Sequence, residues 1–319
     1  MTATPLLNVF DTAAFSDNLG DEIIMDSVWD VLHEIMPGQP IHCTPSHRRA
    51  TLCELRAGRQ ARLSIVGGTN ILKSHMLVRG NWKITPLDYL AWRNVVVLGV
   101  GWQQYGGDVD LPTKLFLNTV MSPHHLQSVR DPHTFNMLSP ILPNTIYTAC
   151  PTMWGLDEAH CARIPKHKAQ DVIFAVTYYR PAPEADLHLL DILKKNYRRV
   201  FFWPQQDGDL AYARDCGMTG MTQIEPKVSA YNDVLDNEDV DFVGARLHGG
   251  IRALQRLRRG LIIPVDNRAL EMGSSTNLPV ISRDEPEAIT HWINTPAPTR
   301  LVLPWDAIAR WKGQFSNAA

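Results

Sequence analysis

A chain of 319 residues with 45% hydrophobic and 20% charged residues can build a large core, and its length suggests about two domains. The net charge is −2, from 31 basic and 33 acidic residues, without the basic excess of a nucleic-acid binder. The five cysteines, Cys43, Cys53, Cys150, Cys161 and Cys216, form no C-x-x-C pair, which excludes a zinc ribbon and a thioredoxin-like motif and suits a reducing compartment.

The first residues, MTATPLLNVFDTAAFSDNLGDE, lack the basic region and long apolar core of a signal peptide. No stretch reaches the ~20 apolar residues that span a bilayer. The expectation is a cytoplasmic protein, with peripheral association at the inner membrane face left open. Apolar strands and amphipathic helices then alternate, the pattern of an α/β protein with parallel sheets. PLLNVF (5–10) predicts a strand, and GDEIIMDSVWDVLHEIM (20–36) a helix with Ile24, Val28, Leu32 and Ile35 on one face. RLSIVGG (62–68) and NVVVLGVG (94–101) predict buried strands ending in glycine. LQSVRDPHTFNML (126–138) predicts strand, turn and helix, and NTIYTACP (144–151) a further strand.

HCARIPKHKAQ (160–170) is polar and broken by a proline, which predicts a linker. A second alternation runs through DVIFAVTYY, DLHLLDILKKNY, RRVFFWP, GDLAYARDCG, FVGARLHGGIRALQRLRRGL and GLIIPVD. The expected architecture is two Rossmann-like domains, 1–165 and 166–298, facing a cleft. A terminal helix in 299–319, carried by WDAIARWKGQF, is expected to pack back on the first domain.

Four loops at predicted strand ends hold the candidate site residues, and each has a plainer reading. In DNLGDE (17–22), Gly20 permits a close backbone approach, and Asn18 and Asp21 reach the rim where such sheets bind ligands. Equally, Asp21 and Glu22 offset the dipole of a first helical turn. In VGGTNIL (66–72), Gly67, Gly68, Thr69 and Asn70 expose backbone amides to an anion or a sugar, or simply make a turn and cap. In SVRDPHT (128–134), Arg130 suits bidentate contact with a carboxylate or phosphate, or else pairs with Asp131 at the surface. In GARLHGG, Arg246 supplies a fixed charge, His248 an imidazole that exchanges protons near neutral pH, and Gly249-Gly250 a helix start beside a ligand. An exposed arginine and an ordinary loop histidine are the alternative. Arg252, Arg256, Arg258 and Arg259 fall mostly away from the Ile251/Leu254/Leu257 stripe and predict a solvated face. No Walker loop, G-x-G-x-x-G, H-E-x-x-H or G-x-S-x-G motif occurs, and no metal is demanded.

Taken in order, NLGDE, VGGTNIL, SVRD and GARLHGGIRAL followed by GLIIPVD resemble the motifs of the polysaccharide pyruvyl transferase family over most of the chain. Where members often carry a lysine after the last of these strands, this chain has Val265-Asp266-Asn267-Arg268, so Arg268 keeps the charge with a different geometry. The resemblance implies a GT-B-like arrangement with the acceptor on the first domain and phosphoenolpyruvate on the second. It implies transfer of pyruvate from phosphoenolpyruvate onto two hydroxyls of a sugar, as a cyclic ketal, with release of phosphate. Arg130, Arg246, Gly249, Gly250 and Arg268 would then bind phosphoenolpyruvate, and Asn18, Gly20, Gly67, Gly68, Thr69 and Asn70 the acceptor. His248 would be the acid, and Asp21 would serve acceptor positioning or base work. No cofactor or metal is expected, phosphoenolpyruvate being a co-substrate. The acceptor is a sugar, oligosaccharide or lipid-linked glycan. A GT-B glycosyltransferase with a nucleotide-sugar donor and an inactive sugar-binding relative are the competing expectations.

Overall fold

The computed structural model describes residues 6–80, 82–85, 88–103 and 108–316. Pro5, which opens the expected first strand, lies outside them. In chain order come β1 (Leu7–Asp11), α1 (Leu19–Ile35), β2 (Ile41–Pro45), α2 (Leu52–Gln60), β3 (Leu63–Gly67), the one-turn helices α3 (Met76–Arg79) and α4 (Asp88–Ala91), and β4 (Val95–Leu98). There follow α5 (Leu111–Val120), β5 (Gln127–Val129), α6 (Pro132–Leu138) and β6 (Thr145–Tyr147). Next are α7 (Glu158–Arg163), β7 (Asp171–Ala175), α8 (Pro183–Asn196), β8 (Val200–Phe202), α9 (Asp207–Asp215) and β9 (Thr222–Gln223). The chain continues with α10 (Val228–Asn237), β10 (Val240–Gly244), α11 (Leu247–Gln255), β11 (Gly260–Ile262), α12 (Asn267–Thr276), α13 (Pro286–Asn294) and α14 (Trp305–Gly313).

The protein is mixed α/β, and its strand pairings among the described residues are parallel. The chain divides into two compact units: 1–16 with 24–151 and 303–319, and 17–23 with 152–302. The changeover falls at Pro151/Thr152, ahead of the expected boundary after residue 165. Part of the expected linker is helical: Asp157 caps α7 by accepting the His160 N–H at 2.7 Å, and Cys161 and Ile164 are buried.

The first unit holds a sheet of order β2-β1-β3-β4 and the pair β5-β6. Its apolar core gathers Val66, Val97, Trp82, Trp92, Trp102 and Phe116, with Phe10 edge-on to Trp82 and Trp92 at 4.9 and 4.8 Å. β2 carries no apolar signature because it is an edge strand on which only Thr44 is buried. α2 starts at a capping box: the Thr51 hydroxyl accepts the Glu54 N–H at 3.3 Å, and the Glu54 carboxylate accepts the Thr51 N–H at 2.7 Å. Residues 303–319 count with this unit, where the Gln314 Oε1 accepts the Leu126 N–H at 2.7 Å and Lys312 pairs with Glu34.

The second unit is one sheet of order β11-β10-β7-β8-β9. β7 is buried along its whole length, and its side chains alternate between two cores. Val172 and Phe174 join Leu193, Phe202 and Val243, while Ile173 and Ala175 join Trp203, Tyr231 and Phe242. A strand covered on both faces reads as the continuous apolar run seen in DVIFAV. Ile23, at the start of α1, belongs to the second of these cores.

Candidate functional site

In the second unit, β10 and β7 are neighbours although their connections leave in opposite directions, so a crevice opens beyond their C-terminal ends. Gly244 brings the chain close at this point. A Cβ there would stand 2.5 Å from the Ala175 carbonyl oxygen, and the Ala245 N–H donates to that oxygen at 2.7 Å. The pocket beyond is lined by Asn18, Gly20, Tyr179, Gln205, Arg246 and His248, with Asp266 and Arg268 on its far wall. Its cavity volume is about 20 Å³.

Arg246 stands at the N-cap of α11, 3% exposed. Its Nε donates to the Val176 carbonyl at 3.0 Å, its Nη1 to Gln206 Oε1 at 2.9 Å and its Nη2 to both oxygens of Asp209. The guanidinium also lies over the Tyr179 ring, 5.3 Å from its centre. Asp209 is fully buried and further accepts the backbone N–H groups of Tyr178, Gln205 and Gln206 at 3.1, 3.0 and 3.2 Å. Arg268 repeats the scheme nearer solvent. Its Nε donates to both Asp266 oxygens at 3.0 and 2.9 Å, and its Nη2 donates to the Tyr179 hydroxyl at 2.9 Å. Each cation therefore enters the pocket with a carboxylate beside it. His248, 6% exposed, sits in the first turn of α11 and lines the same pocket.

The glycines act differently from one another. Gly20 lines the pocket, its N–H donating to Asn18 Oδ1 at 3.1 Å. Gly249 and Gly250 are buried in α11, where a Cβ would meet Gln205 Nε2 at 2.6 Å and Ile262 Cγ1 at 2.6 Å respectively. Both are close-packing positions. Asp21, 8% exposed, lies in the first turn of α1, and its N–H donates to the Asn18 carbonyl at 2.9 Å. The expected solvated arginine face needs correction. Arg256 and Arg258 are at the surface, pairing with Asp236 and donating to the Leu235 carbonyl. Arg252 and Arg259 are 9% and 1% exposed. Arg259 lies 4.2 Å from the centre of the Trp292 ring and 3.8 Å from the Asp241 carboxylate, because the chain turns inward again toward β11.

The remaining site candidates lie in the first unit. Gly67 and Gly68 end β3 where α1 crosses it. A Cβ on Gly67 would stand 2.7 Å from Val28, and one on Gly68, whose φ is +48°, would overlap Ile24. Thr69 follows with φ 61°. Asn70 Oδ1 accepts from Arg130 Nη2, and Arg130 Nε lies 3.3 Å from Asp131 Oδ2. Arg130 and Asp131 are 1% and 4% exposed, so this is a buried pair and the surface alternative is overturned. Gly101 makes room for it, since a Cβ there would overlap Arg130 and Asn70.

Sequence reasoning missed Gln205, Gln206, Asp209, Tyr179 and Asp266. A polar run, QQDGD, one proline beyond the apolar stretch VFFW was the available signal for the first three. Among the described residues, no group of three or more His, Cys, Asp or Glu side chains is placed to hold a metal ion. No helix among them is long and apolar enough to cross a membrane.

Parallel α/β units with charged and proton-exchanging residues beyond their strand ends define a class of ligand-binding α/β proteins. Within that class the chain is placed by a family model, described as polysaccharide pyruvyl transferase, which matches residues 18–239. The chain belongs to that family. The matched span takes in Asn18, Gly20, Gly67–Asn70, Arg130 and Gln205, and ends ahead of Arg246 and His248. A search of curated proteins finds no match.

Proposed function

We propose that this protein transfers the pyruvate of phosphoenolpyruvate onto two hydroxyls of a sugar in a polysaccharide or its precursor. Family membership makes a glycan-modifying transferase the starting point. The observation that supports the finer reading is the pocket at the β7/β10 crevice, where one histidine lies among two arginines and a helix N-terminus. Phosphoenolpyruvate carries a phosphate and a carboxylate close together, which suits such a setting.

The chemistry balances without a cofactor. His248 as the imidazolium protonates the methylene carbon, and positive character develops at C2. A sugar hydroxyl adds to C2 and gives up its proton, which restores the imidazolium. The C2–O bond to phosphate then breaks, and the second hydroxyl closes the ketal ring, its proton leaving with the phosphate. Arg268 and the α11 N-terminus draw the phosphate oxygens, while Arg246, held by Asp209, fixes the pocket wall. Asp21 is placed in this proposal as a positioning group for the acceptor. Asn18 and, in the first unit, the Gly67–Asn70 loop are assigned to the acceptor, and Arg130 to an anion. The proposal places the reaction in the cytoplasm or at the inner membrane face.

The test is phosphate release by purified protein with phosphoenolpyruvate and a panel of acceptor sugars. Arg246→Ala and His248→Ala should each lower the rate at least ~10²-fold. Full activity in both variants, or binding of a nucleotide sugar in place of phosphoenolpyruvate by calorimetry, would overturn the proposal.

A further inference from the structure

Gln205 follows β8 and lines the same pocket. Its backbone is held on both sides: the N–H donates to Asp209 Oδ2 at 3.0 Å, and the carbonyl accepts the Leu19 N–H at 3.2 Å. The residue is 2% exposed. Its side-chain amide lies in a slot between two glycines. A Cβ on Gly20 would stand 3.3 Å from Oε1, and one on Gly249 would stand 2.6 Å from Nε2. Two motifs more than two hundred residues apart, NLGDE and LHGG, thus meet on one amide. Nε2 has no hydrogen-bond partner among the described residues. A buried donor left without a partner is costly, and native folds rarely leave one unless water or a bound group completes it.

We infer that Gln205 contacts the ligand, its amide N–H donating to an anionic oxygen of phosphoenolpyruvate, and that Gly20 and Gly249 serve to leave room for that amide. The inference rests on reading the pocket as the phosphoenolpyruvate site. A neutral donor suits this place because the neighbouring cations are already paired with Asp209 and Asp266. The amide adds recognition of an anion without a further buried charge to be matched.

Calorimetric titration of the full chain with phosphoenolpyruvate and with inorganic phosphate tests it. Gln205→Leu should weaken phosphoenolpyruvate binding about tenfold or more. Gln205→Glu keeps the shape but presents an anion, and should weaken it further. Gly249→Ala, which forces the amide out of its slot, should match Gln205→Leu. In steady-state assays the KM for phosphoenolpyruvate should rise while that for the acceptor sugar stays. A purely structural role would instead raise the KM for both substrates together, in step with lost stability. Gln205→Glu binding as tightly as the parent overturns the inference alone. A parent protein that binds neither probe overturns the pocket reading and this inference together. Should Gln205→Glu fail to melt cooperatively, unchanged binding in Gln205→Leu and Gly249→Ala is the overturning result.

Discussion

Arg246 and Arg130 hold the same place in two units, each just beyond the end of a parallel strand, at 3% and 1% exposure. Their surroundings answer the charge differently. Arg246 is tied to a carbonyl, a glutamine and both oxygens of a carboxylate that three backbone N–H groups also hold. Arg130 has Asn70 and one Asp131 oxygen at 3.3 Å, while the other Asp131 oxygen caps α6 by accepting the Thr134 N–H at 2.7 Å. Arg130 Nη1 has no hydrogen-bond partner among the described residues. The first arginine is part of the wall, and the second keeps donor capacity in hand. Strand-end position therefore marks where a cation sits, and the partners decide whether it remains available to an anion.

The sharpest break of this comparison is removal of the carboxylates. Asp209→Ala leaves Arg246 buried and uncompensated and should cost about 3–5 kcal/mol in denaturant unfolding. Asp131→Ala should cost less, since Arg130 keeps Asn70; equal losses would erase the distinction between the two arginines.

Acid titration separates the two units next. Burial pushes the Asp241 carboxyl up to about 6, against the opposing pull of Arg259 and of the Tyr197 hydroxyl that donates to it at 2.7 Å. A raised acid favours the folded state while protonated, so this contribution is full below the ordinary value of 3.8 and is lost as pH rises through about 6. Glu54, in the first unit, is held at about 2, chiefly by its hydrogen bond from Arg48. Asp171, in the second, is held at about 2 by Arg198 first and also by Arg199. Both contributions are present above the ordinary carboxylate values of 4.5 and 3.8 and are lost as pH falls through about 2. From pH 6 to 4 the second unit should thus gain stability that the first does not. Hydrogen exchange resolved by unit reads this, and Asp241→Asn should flatten the second unit's profile by at most about 3 kcal/mol.

The mildest change acts on Arg130 through its neighbour. Gly101→Ala places a methyl against the guanidinium and should cost about 1–3 kcal/mol by overpacking. If Arg130 is the arginine that stays available, the same variant should weaken phosphoenolpyruvate binding as measured by calorimetry. Unaltered binding would assign Arg130 to the fold alone.

Much of the fold was legible, and for a definite reason. A parallel strand buried on both faces is an uninterrupted apolar run, so VVVL, DVIFA and VDFVG announce β4, β7 and β10 without any partner in view. β2 and β9 escaped because edge strands need not be apolar, and the two residues of β9 are both exposed. The loops that end the buried strands were legible too, because glycine and arginine beside an apolar run stand out. Their partners were not: Asp209 reaches Arg246 across 37 positions, and Asn70 reaches Arg130 across 60.

The sequence by itself determined the alternation of strands and helices, the loops that carry candidate ligands and the family, because period, turn chemistry and motif order are local properties. Only the tertiary structure decided that Arg252 and Arg259 are buried, that Arg246 arrives already paired, and that Gly20 and Gly249 frame the Gln205 amide. Burial and charge pairing depend on which distant segments the sheet order brings together, and no local stretch of chain carries that information.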